Sequence, residues 1–230
     1  MAKHIESLLD GVSNESLDIS ITERPNIPAP ELETEFFEIE GRHGYLTKVK
    51  KFKDIKFDVE YNILEMLNVK PLLRKIRGFF YGKDTLQFSD DDVYYKIKSA
   101  QIGATNNEIE EYGKFTVTFT CDPFQYESQA WETIAAPVKI INPGTIESEP
   151  YLKVYGTGDI TLTINTKNVF LYGVDGYAEI DSQDMEYHKD LLPIENGMGG
   201  DFPIFEVGEN DISWTGTVTK IELDGRWRYI

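Results

Sequence analysis

Histidine and cysteine are the side chains that most often transfer protons, attack as nucleophiles or bind metals near neutral pH. The chain has three histidines, His4, His43 and His188, and one cysteine, Cys121. The histidines are far apart in sequence, and none has a metal-ligand spacing such as His-Glu-x-x-His. Cys121 falls on the apolar side of an alternating stretch, where a thiol behaves as a small hydrophobic group. We therefore expect no catalytic residue, no metal site and no cofactor, and a single cysteine allows no intramolecular disulfide.

Two further motifs could bind ions or phosphates. The run Asp90-Asp91-Asp92 offers carboxylates, but it lacks the spacing and the trailing glutamate of an EF-hand loop. It predicts a turn between Phe88 and Val93. The glycine-rich stretches Gly156-Thr157-Gly158 and Gly197–Gly200 open no helix, so they predict turns and not phosphate-binding loops.

Aromatic rings and paired carboxylates are the groups that bind or cleave sugars. The candidate rings for stacking on a sugar are Trp131, Tyr187, Trp214 and Trp227. Trp214 and Trp227 lie within strand patterns, where aromatic side chains more often belong to the core. No motif supports a glycoside hydrolase, and we predict that the chain is not an enzyme. A carbohydrate-binding module of a cell-wall recognition protein remains an alternative at this point.

Composition excludes several classes of protein. Across 230 residues, 23 Lys and Arg stand against 40 Asp and Glu, which gives a net charge of −17. Such a field repels phosphates, so a free-standing DNA or RNA binder is excluded. The hydrophobic fraction of 40% and the aromatic fraction of 13% suffice for a core. No run of about 18 apolar residues occurs, so we expect no membrane span. We also expect synthesis in a reducing cytoplasm.

The first half of the chain has the periodicity of β-strands around one helical element. Apolar and polar residues alternate over residues 55–61 and 115–121, as in half-buried strands. A helical spacing follows from Ile63 through Leu64 and Leu67 to Ile76, with Pro71 in a first turn and Gly78 as a C-terminal cap. The prolines of the first thirty residues indicate an arm with one short strand at Leu17–Ile21, and Glu40–Gly44 indicates a turn.

The second half contains short strand patterns only. Periodicity lapses around Tyr126–Pro137, which predicts a linker. The strand patterns that follow are Tyr151–Tyr155, Ile160–Ile164, Val169–Tyr172, Tyr177–Asp181, Ile204–Val207, Asp211–Trp214, Val218–Leu223 and Arg226–Ile230. Many short strands at even spacing are typical of a β-sandwich or jelly roll. We therefore divide the chain into two domains, 1–128 and 129–230.

Charge is distributed unevenly along the first domain. Residues 1–47 carry a net charge of −7, whereas residues 48–77 carry +5. Two interpretations remain open. In the first, the two blocks pair within one solvated face; in the second, they are complementary patches that meet between neighbouring copies of the chain.

Several short motifs together resemble the distal tail protein family of long-tailed, non-contractile phages. The motifs of the first domain are Gly41-Arg42-His43-Gly44, Leu86–Asp91 with Tyr94-Tyr95, and Phe119–Tyr126. Those of the second domain are Asn142–Thr145 with Glu149-Pro150, Ile180-Asp181-Ser182, Gly200–Pro203, Gly208-Glu209-Asn210, Ile212-Ser213-Trp214 and Arg226-Trp227-Arg228. Each motif is short, but they occur in the expected order and span residues 41–228.

The resemblance implies a mainly β structural protein of the virion tail tip. It implies an N-terminal β-sandwich related to the tail tube, with one helical element and a protruding hairpin, followed by a galectin-like β-sandwich. Residues 1–128 would close a ring of six copies, and residues 129–230 would lie outside it. The partners would be the tail-tube protein, the tail-associated hub protein and a receptor-binding protein. DNA would pass through the ring without specific binding.

The two charge blocks are candidates for the complementary patches of such a ring, and we hypothesise a subunit contact on the hairpin Phe36–Phe52, turned at Gly41–Gly44. We expect it to reach the neighbouring copy. The candidate interface residues are Phe36, Phe37, Arg42, His43, Lys48, Lys50, Lys51 and Lys53.

Overall fold

The structure is a computed structural model that describes residues 5–63, 69–103, 106–107, 113–128 and 130–230. It divides into two compact units, Met1–Tyr126 with Ile230 and Glu127–Tyr229. This division falls two residues before the boundary placed from the sequence. The roles expected for the two domains, ring formation and a peripheral position, stay predictions.

The first unit contains most of the strands of a nine-stranded sheet. In its described part it also contains a separate two-stranded hairpin and one α-helix. Its elements are β1 (Ser7–Leu9), β2 (Val12–Ser13), a 3-10 helix (Asn14–Leu17), β3 (Ile19–Ile21), β4 (Leu32–Glu38), β5 (Tyr45–Phe52), β6 (Ile55–Ile63), α1 (Val69–Phe80), β7 (Thr85–Phe88), β8 (Val93–Ile102), β9 (Asn106–Asn107) and β10 (Gly113–Glu127). The order in the sheet is β2-β1-β7-β8-β10-β6-β3, and β9 lies beside β10.

The centre of this sheet follows directly from the alternation in the sequence. Strands β6 and β10 are antiparallel over nine residue pairs, from Ile63 opposite Gly113 to Ile55 opposite Cys121. Within these pairs the apolar residues all point to one side, where they are buried. Helix α1 covers that side because Leu72, Ile76 and Phe80 recur at helical spacing and are buried. The strand predictions for residues 55–61 and 115–121 are confirmed.

The predicted end of the helix is wrong. Gly78 lies inside α1, which continues to Phe80. The ring of Phe80 packs 5.3 Å from that of Tyr61 and 6.2 Å from that of Phe115. Burying such a ring stabilises the unit by about 2 kcal/mol, which exceeds the cost of about 1 kcal/mol for a glycine within a helix. The helical spacing predicted at Leu64 and Leu67 lies outside the described residues.

In the part that the structure describes, strands are the only regular secondary-structure elements of the second unit. Its strands are β11 (Trp131–Ile134), β12 (Val138–Asn142), β13 (Tyr151–Ile164), β14 (Lys167–Asp181), β15 (Glu186–Lys189), β16 (Leu192–Pro193), β17 (Met198–Gly199), β18 (Gly208–Asp224) and β19 (Arg228–Tyr229). The order is β11-β18-β13-β14-β15-β16, with β12 beside β18 and β17 beside β14. Seventeen buried hydrophobic side chains form its core.

Three of these strands correct the sequence prediction. The patterns on either side of Gly156-Thr157-Gly158 form one strand, β13, and not two strands joined by a turn. Strands β14 and β18 likewise run through Gly173 and Gly216. A Cβ on Gly156 would lie 2.2 Å from the carbonyl oxygen of Thr217. The glycines therefore allow neighbouring backbones to approach at a bend, where the register shifts between Gly158 and Ile160.

Smaller predictions in this unit are also corrected. Residues 131–134, predicted as linker, form β11 and pair with β18, which buries Ile134. Met198 and Gly199, predicted as turn, form β17 beside β14. The predicted strand Ile204–Val207 is reduced to a single bridge between Phe205 and Ser148.

The predicted fold class is confirmed: the chain is mainly β, with one α-helix and a hairpin in the first unit. The galectin-like character of the second unit stays a prediction. Among the described residues, no helix is long and apolar enough to cross a bilayer.

Candidate subunit interface

The hairpin of β4 and β5 exposes apolar side chains on both of its faces. These two strands form a sheet of their own and pair with no third strand among the described residues. On one face, Phe36, Tyr45 and Val49 are 63%, 66% and 60% exposed. On the other face, Phe37 and Leu46 lie directly opposite each other and are more than 40% exposed. An isolated two-stranded hairpin is marginally stable in water, so this surface favours a partner.

The turn of the hairpin is fixed by its glycines. Gly41 and Gly44 have φ angles of +78° and +82°, which only glycine adopts without strain. The backbone N–H of Arg42 donates a hydrogen bond to the carbonyl of Ile39 at 3.1 Å. This geometry confirms the predicted hairpin and sets the exposed side chains of Arg42 and His43 at its tip.

The base of the hairpin is joined to the main sheet of the same unit. The ring of Phe52 packs edge-on against that of Phe124, with centroids 5.6 Å apart. Lys98 then bridges Asp54 at 2.6 Å and Asp122 at 2.9 Å. Burial alone would lower the pKa of Lys98, but the two carboxylates raise it above its usual value. The hairpin is therefore anchored at one end and exposed along its length.

The acidic and basic blocks of the sequence face each other within this hairpin. Glu35 lies opposite Lys48, and Glu33 lies opposite Lys51. Lys50 is 3.2 Å from Glu35. Just beyond the strands, Lys53 is 3.1 Å from Glu31. Of the two interpretations of the charge blocks, pairing within one solvated face is thus observed for Lys50 and Lys53. Exposed pairs of this kind contribute little stability.

The structure brings all of the predicted interface residues together on one element. Phe36 and Phe37 are on β4, Arg42 and His43 are in the turn, Lys48, Lys50 and Lys51 are on β5, and Lys53 follows it. All eight are at least partly exposed. Sequence reasoning missed the apolar residues of β5. Tyr45, Thr47 and Val49 are spaced two residues apart, so the strand period places their side chains on one face of β5. The pairing of Thr47 with Phe36 puts that face on the same side of the hairpin as Phe36.

The opposite side of β6 and β10 from the core is a polar sheet face. Thr116, Thr118 and Thr120 of β10 lie opposite Glu60, Asp58 and Lys56 of β6. Thr118 donates a hydrogen bond to Asp58. Lys114 forms an ion pair with Glu60 at 3.1 Å. No large apolar side chain of β6 or β10 is exposed on this face, so it is suited to remain in contact with water.

The residues considered for catalysis and metal binding are dispersed. His43 is exposed in the hairpin turn, and His188 is buried in the second unit. His4 lies outside the described residues. Cys121 is buried, and burial together with the nearby Asp122 and Asp54 raises the pKa of its thiol to about 12. Such a thiol is not a nucleophile near neutral pH.

Asp90, Asp91 and Asp92 follow β7 in the predicted turn, where the N–H of Asp91 donates to the carbonyl of Phe88. Within residues 5–63, 69–103, 106–107, 113–128 and 130–230, no group of three or more His, Cys, Asp or Glu side chains has a metal-binding arrangement. Asp90 instead forms an ion pair with Arg24 at 3.0 Å.

Most of the aromatic side chains considered for sugar binding are packed against other residues of the second unit. Trp214 and Trp227 pack against the core of the second unit, as expected for rings in strand patterns. Tyr187 is buried. Trp131 is half exposed, but its ring packs edge-on against Tyr151 at 5.6 Å. These four rings do not form a shared platform.

The outward side of β13, β14 and β18 in the second unit carries a network of ion pairs and rings, which we call the ionic face. Arg226 donates two hydrogen bonds to Asp181, at 2.6 and 2.8 Å. Burial alone would raise the pKa of Asp181, but Arg226 and the backbone N–H groups of Asp184 and Gln183 lower it below its ordinary value. Lys153 lies 3.1 Å from Glu179. The charges of this face are therefore satisfied inside the unit.

Comparison with known families and structures agrees with this architecture. Residues 14–121, just under half of the chain, match the family model of the phage tail protein RIFT-related domain. The matched segment runs from the 3-10 helix to the strand residue Cys121 of β10. No curated protein sequence matches the chain significantly.

Solved structures extend the likeness to both units. The fold is similar to that of the Dit protein of phage SPP1, described as a paradigm of hub adsorption apparatus in phages that infect Gram-positive bacteria. The TM-score is 0.71 at 14% identity, over 96% of this chain and 98% of that chain. A chain of the phage P2 baseplate, in its activated conformation with calcium, matches with a TM-score of 0.51 at 12% identity, over 97% of both chains. The resemblance to the distal tail protein family is confirmed.

Proposed function

We propose that this chain is a structural component of a phage tail tip, where six copies close into a ring that joins the tail tube to the hub and the host-adsorption apparatus. The observation that carries the proposal is the hairpin with exposed apolar residues on both faces. A closed ring uses heterologous contacts, in which one patch of each copy meets a different patch of the next. A projecting hairpin supplies one such patch.

The charge of the hairpin supports contact between copies. Residues 31–53 hold five glutamates and five Lys or Arg residues, so their net charge is zero while the whole chain carries −17. Two copies of so acidic a chain repel each other at long range. The neutral, apolar hairpin is the segment that approaches a second copy with the least electrostatic cost.

The polar face of β6 and β10 supports a channel role. Its threonines and paired charges offer no apolar surface and no excess of positive charge to a passing DNA molecule. We assign this face to the lumen of the ring, so that DNA crosses it without specific binding. The remaining partners of the proposal are the tail-tube protein, the tail-associated hub protein and a receptor-binding protein. The site of action is the virion tail tip, after synthesis in the host cytoplasm.

The test replaces the hairpin lysines Lys48, Lys50, Lys51 and Lys53 together with glutamate and measures molar mass by light scattering over a concentration series. The unmodified protein should reach six times its 26.3 kDa chain mass, and the variant should dissociate at moderate salt because its hairpin has become strongly acidic. A matched control changes four exposed cationic residues elsewhere, Lys75, Arg77, Lys139 and Lys167, to glutamate. Equal assembly of both variants would contradict the assigned contact.

A further inference from the structure

A groove in the second unit lies between the middle of β14 and the hairpin of β15 and β16. Its cavity has a volume of about 570 Å³, within the range of sites that bind ligands. Tyr172 and Val174 of β14 line one side, and Leu192 and Ile194 line the other. The groove shares no lining residue with the β4–β5 hairpin.

The floor of this groove is an open strand edge. On this side, β14 pairs with β17 at Phe170 and Leu171, and with β15 at residues 179–181. The backbone N–H of Tyr172 also donates a hydrogen bond to the carbonyl of Gly197, at 2.8 Å. From Gly173 to Ala178, no strand among the described residues pairs with β14 on this edge. The carbonyl of Asp175 points toward the groove and accepts a hydrogen bond from Lys189 Nζ at 2.5 Å, a side-chain bond that an added strand would replace. An open edge beside side-chain pockets is the geometry by which sheets bind extended peptides as an added strand.

The rim of the groove exposes apolar side chains to water from a turn with an unfavourable backbone conformation. Leu191 and Leu192 are 87% and 71% exposed. Asp190 and Leu191 form the turn between β15 and β16, with φ angles of +51° and +63°. A branched side chain such as leucine is rarely found at positive φ, and strained residues of this kind cluster at ligand clamps. The turn thus holds two leucines in water beside the open edge, where a bound segment would cover them.

The charge of the groove selects its occupant. The lining includes the carboxylates of Asp175, Asp190 and Glu195 and one cation, Lys189. Asp175 and Glu195 form no ion pair with any residue that the structure describes. We propose that the groove binds an extended segment of a partner protein in which apolar side chains alternate with Lys or Arg. The backbone would pair with β14, the apolar side chains would contact Tyr172 and Leu192, and the basic side chains would meet the acidic rim.

The test selects peptides from a displayed library of random octapeptides on the immobilised full chain. Enriched peptides should alternate apolar and basic residues, and their affinity should fall as salt is raised. Leu192→Ser should weaken binding about tenfold, since exposed apolar anchors carry much of the energy of such contacts. Glu195→Lys should weaken it about fivefold at low salt by charge reversal.

Two matched controls make the test specific to the groove. Ile141→Ser removes an apolar side chain of similar exposure, 64%, from β12. Glu206→Lys reverses an exposed carboxylate that does not line the groove. Both controls should bind the selected peptides within about twofold of the unmodified chain, as expected for positions outside a contact.

Three results would overturn the proposal: no enrichment, enrichment of peptides without basic residues, or equal binding by the groove and control variants. A glycan panel supplies a fourth. Saccharide binding that Leu192→Ser abolishes, in the absence of peptide binding, would make the groove a sugar site instead.

Discussion

The β4–β5 hairpin and the ionic face both set charged and aromatic residues on neighbouring strands, but they differ in what the chain leaves exposed. In the hairpin, the Lys50–Glu35 pair has side chains about 40% exposed, and Phe36 is 63% exposed. On the ionic face, the side chains of Arg226 and Asp181 are 24% and 10% exposed. The guanidinium of Arg226 also lies 5.4 Å from the centre of the Tyr151 ring.

This difference shows which surface satisfies its charged and apolar groups within one copy of the chain and which surface does not. The ionic face satisfies its own charges and rings, so its interactions stabilise the second unit. The hairpin pairs its charges weakly and leaves its apolar side chains in water, so little stability is gained from it in a single copy. Full burial of a side chain such as Phe36 or Val49 contributes about 2 kcal/mol. That energy is available to association, and the first three predictions below test this contrast.

The largest effect is expected from removing the apolar side chains of one hairpin face. The triple variant Phe36→Ser, Tyr45→Ser and Val49→Ser should weaken self-association at least about 100-fold, since each side chain contributes on the order of 1 kcal/mol or more at a buried contact. Its thermal unfolding should stay close to that of the unmodified chain, because these residues are exposed within one copy. Sedimentation and calorimetry measure the two effects. Val12→Ser with Tyr81→Ser, which are exposed elsewhere in the first unit, should leave assembly unchanged.

Breaking the Arg226–Asp181 ion pair of the ionic face should have the opposite effect, lowering stability while leaving self-association unchanged. Asp181→Asn leaves Arg226 half-buried without its partner and should lower the free energy of unfolding of the second unit by about 2–3 kcal/mol, with assembly of the folded protein intact. Glu209→Gln, which breaks the exposed pair with Lys139, should leave the free energy of unfolding nearly unchanged, because solvent screens this pair. Equal losses from the two substitutions in denaturant titrations would contradict the contrast.

The same carboxylate predicts an acid dependence. The pKa of Asp181 is lower in the folded chain than its ordinary value of 3.8. Its stabilisation is therefore complete above pH 3.8 and is lost as the pH falls through the folded pKa. Unfolding measured from pH 6 downwards should show a smaller acid dependence in Asp181→Asn than in the unmodified chain. Identical slopes would show that Asp181 is not the group responsible.

Alanine substitutions at the bend of β13 should distinguish two costs of replacing a glycine: a clash with a neighbouring backbone, and strain from a positive φ angle. Gly156→Ala places a Cβ 2.2 Å from the Thr217 carbonyl and should destabilise the second unit by about 2–3 kcal/mol, in the range of overpacked sites. Gly158 has a φ of +77° with open space around it, so Gly158→Ala should cost about 1–2 kcal/mol. Thermal melts of the two variants give the order, and a reversed order would argue against the bend.

The sequence predicted those elements whose pattern is local. The alternation of β6 and β10 located the core sheet, and Gly41 with Gly44 located the hairpin turn. The charge blocks together with the resemblance singled out the hairpin as the candidate contact. The pairing of Lys50 with Glu35 could not be predicted from the sequence, because a bulge between Glu33 and Thr34 shifts the register of the two strands by one residue.

The long strands of the second unit were missed for a physical reason. A glycine flanked by strand patterns is equally compatible with a turn and with a bend inside one strand, since both exploit its lack of a Cβ. Only the neighbouring backbone, such as Thr217 beside Gly156, decides between them. The β14 groove was missed for a similar reason, because its open edge depends on where β15 and β17 end and not on any residue of β14.

Electron microscopy of the purified full chain tests the central claim most directly. We predict closed particles of six copies with a central hole, and their loss in the Phe36, Tyr45 and Val49 triple variant. Monomers at every concentration, two-fold dimers, or rings that persist unchanged in the triple variant would contradict a hexameric ring closed by the hairpin.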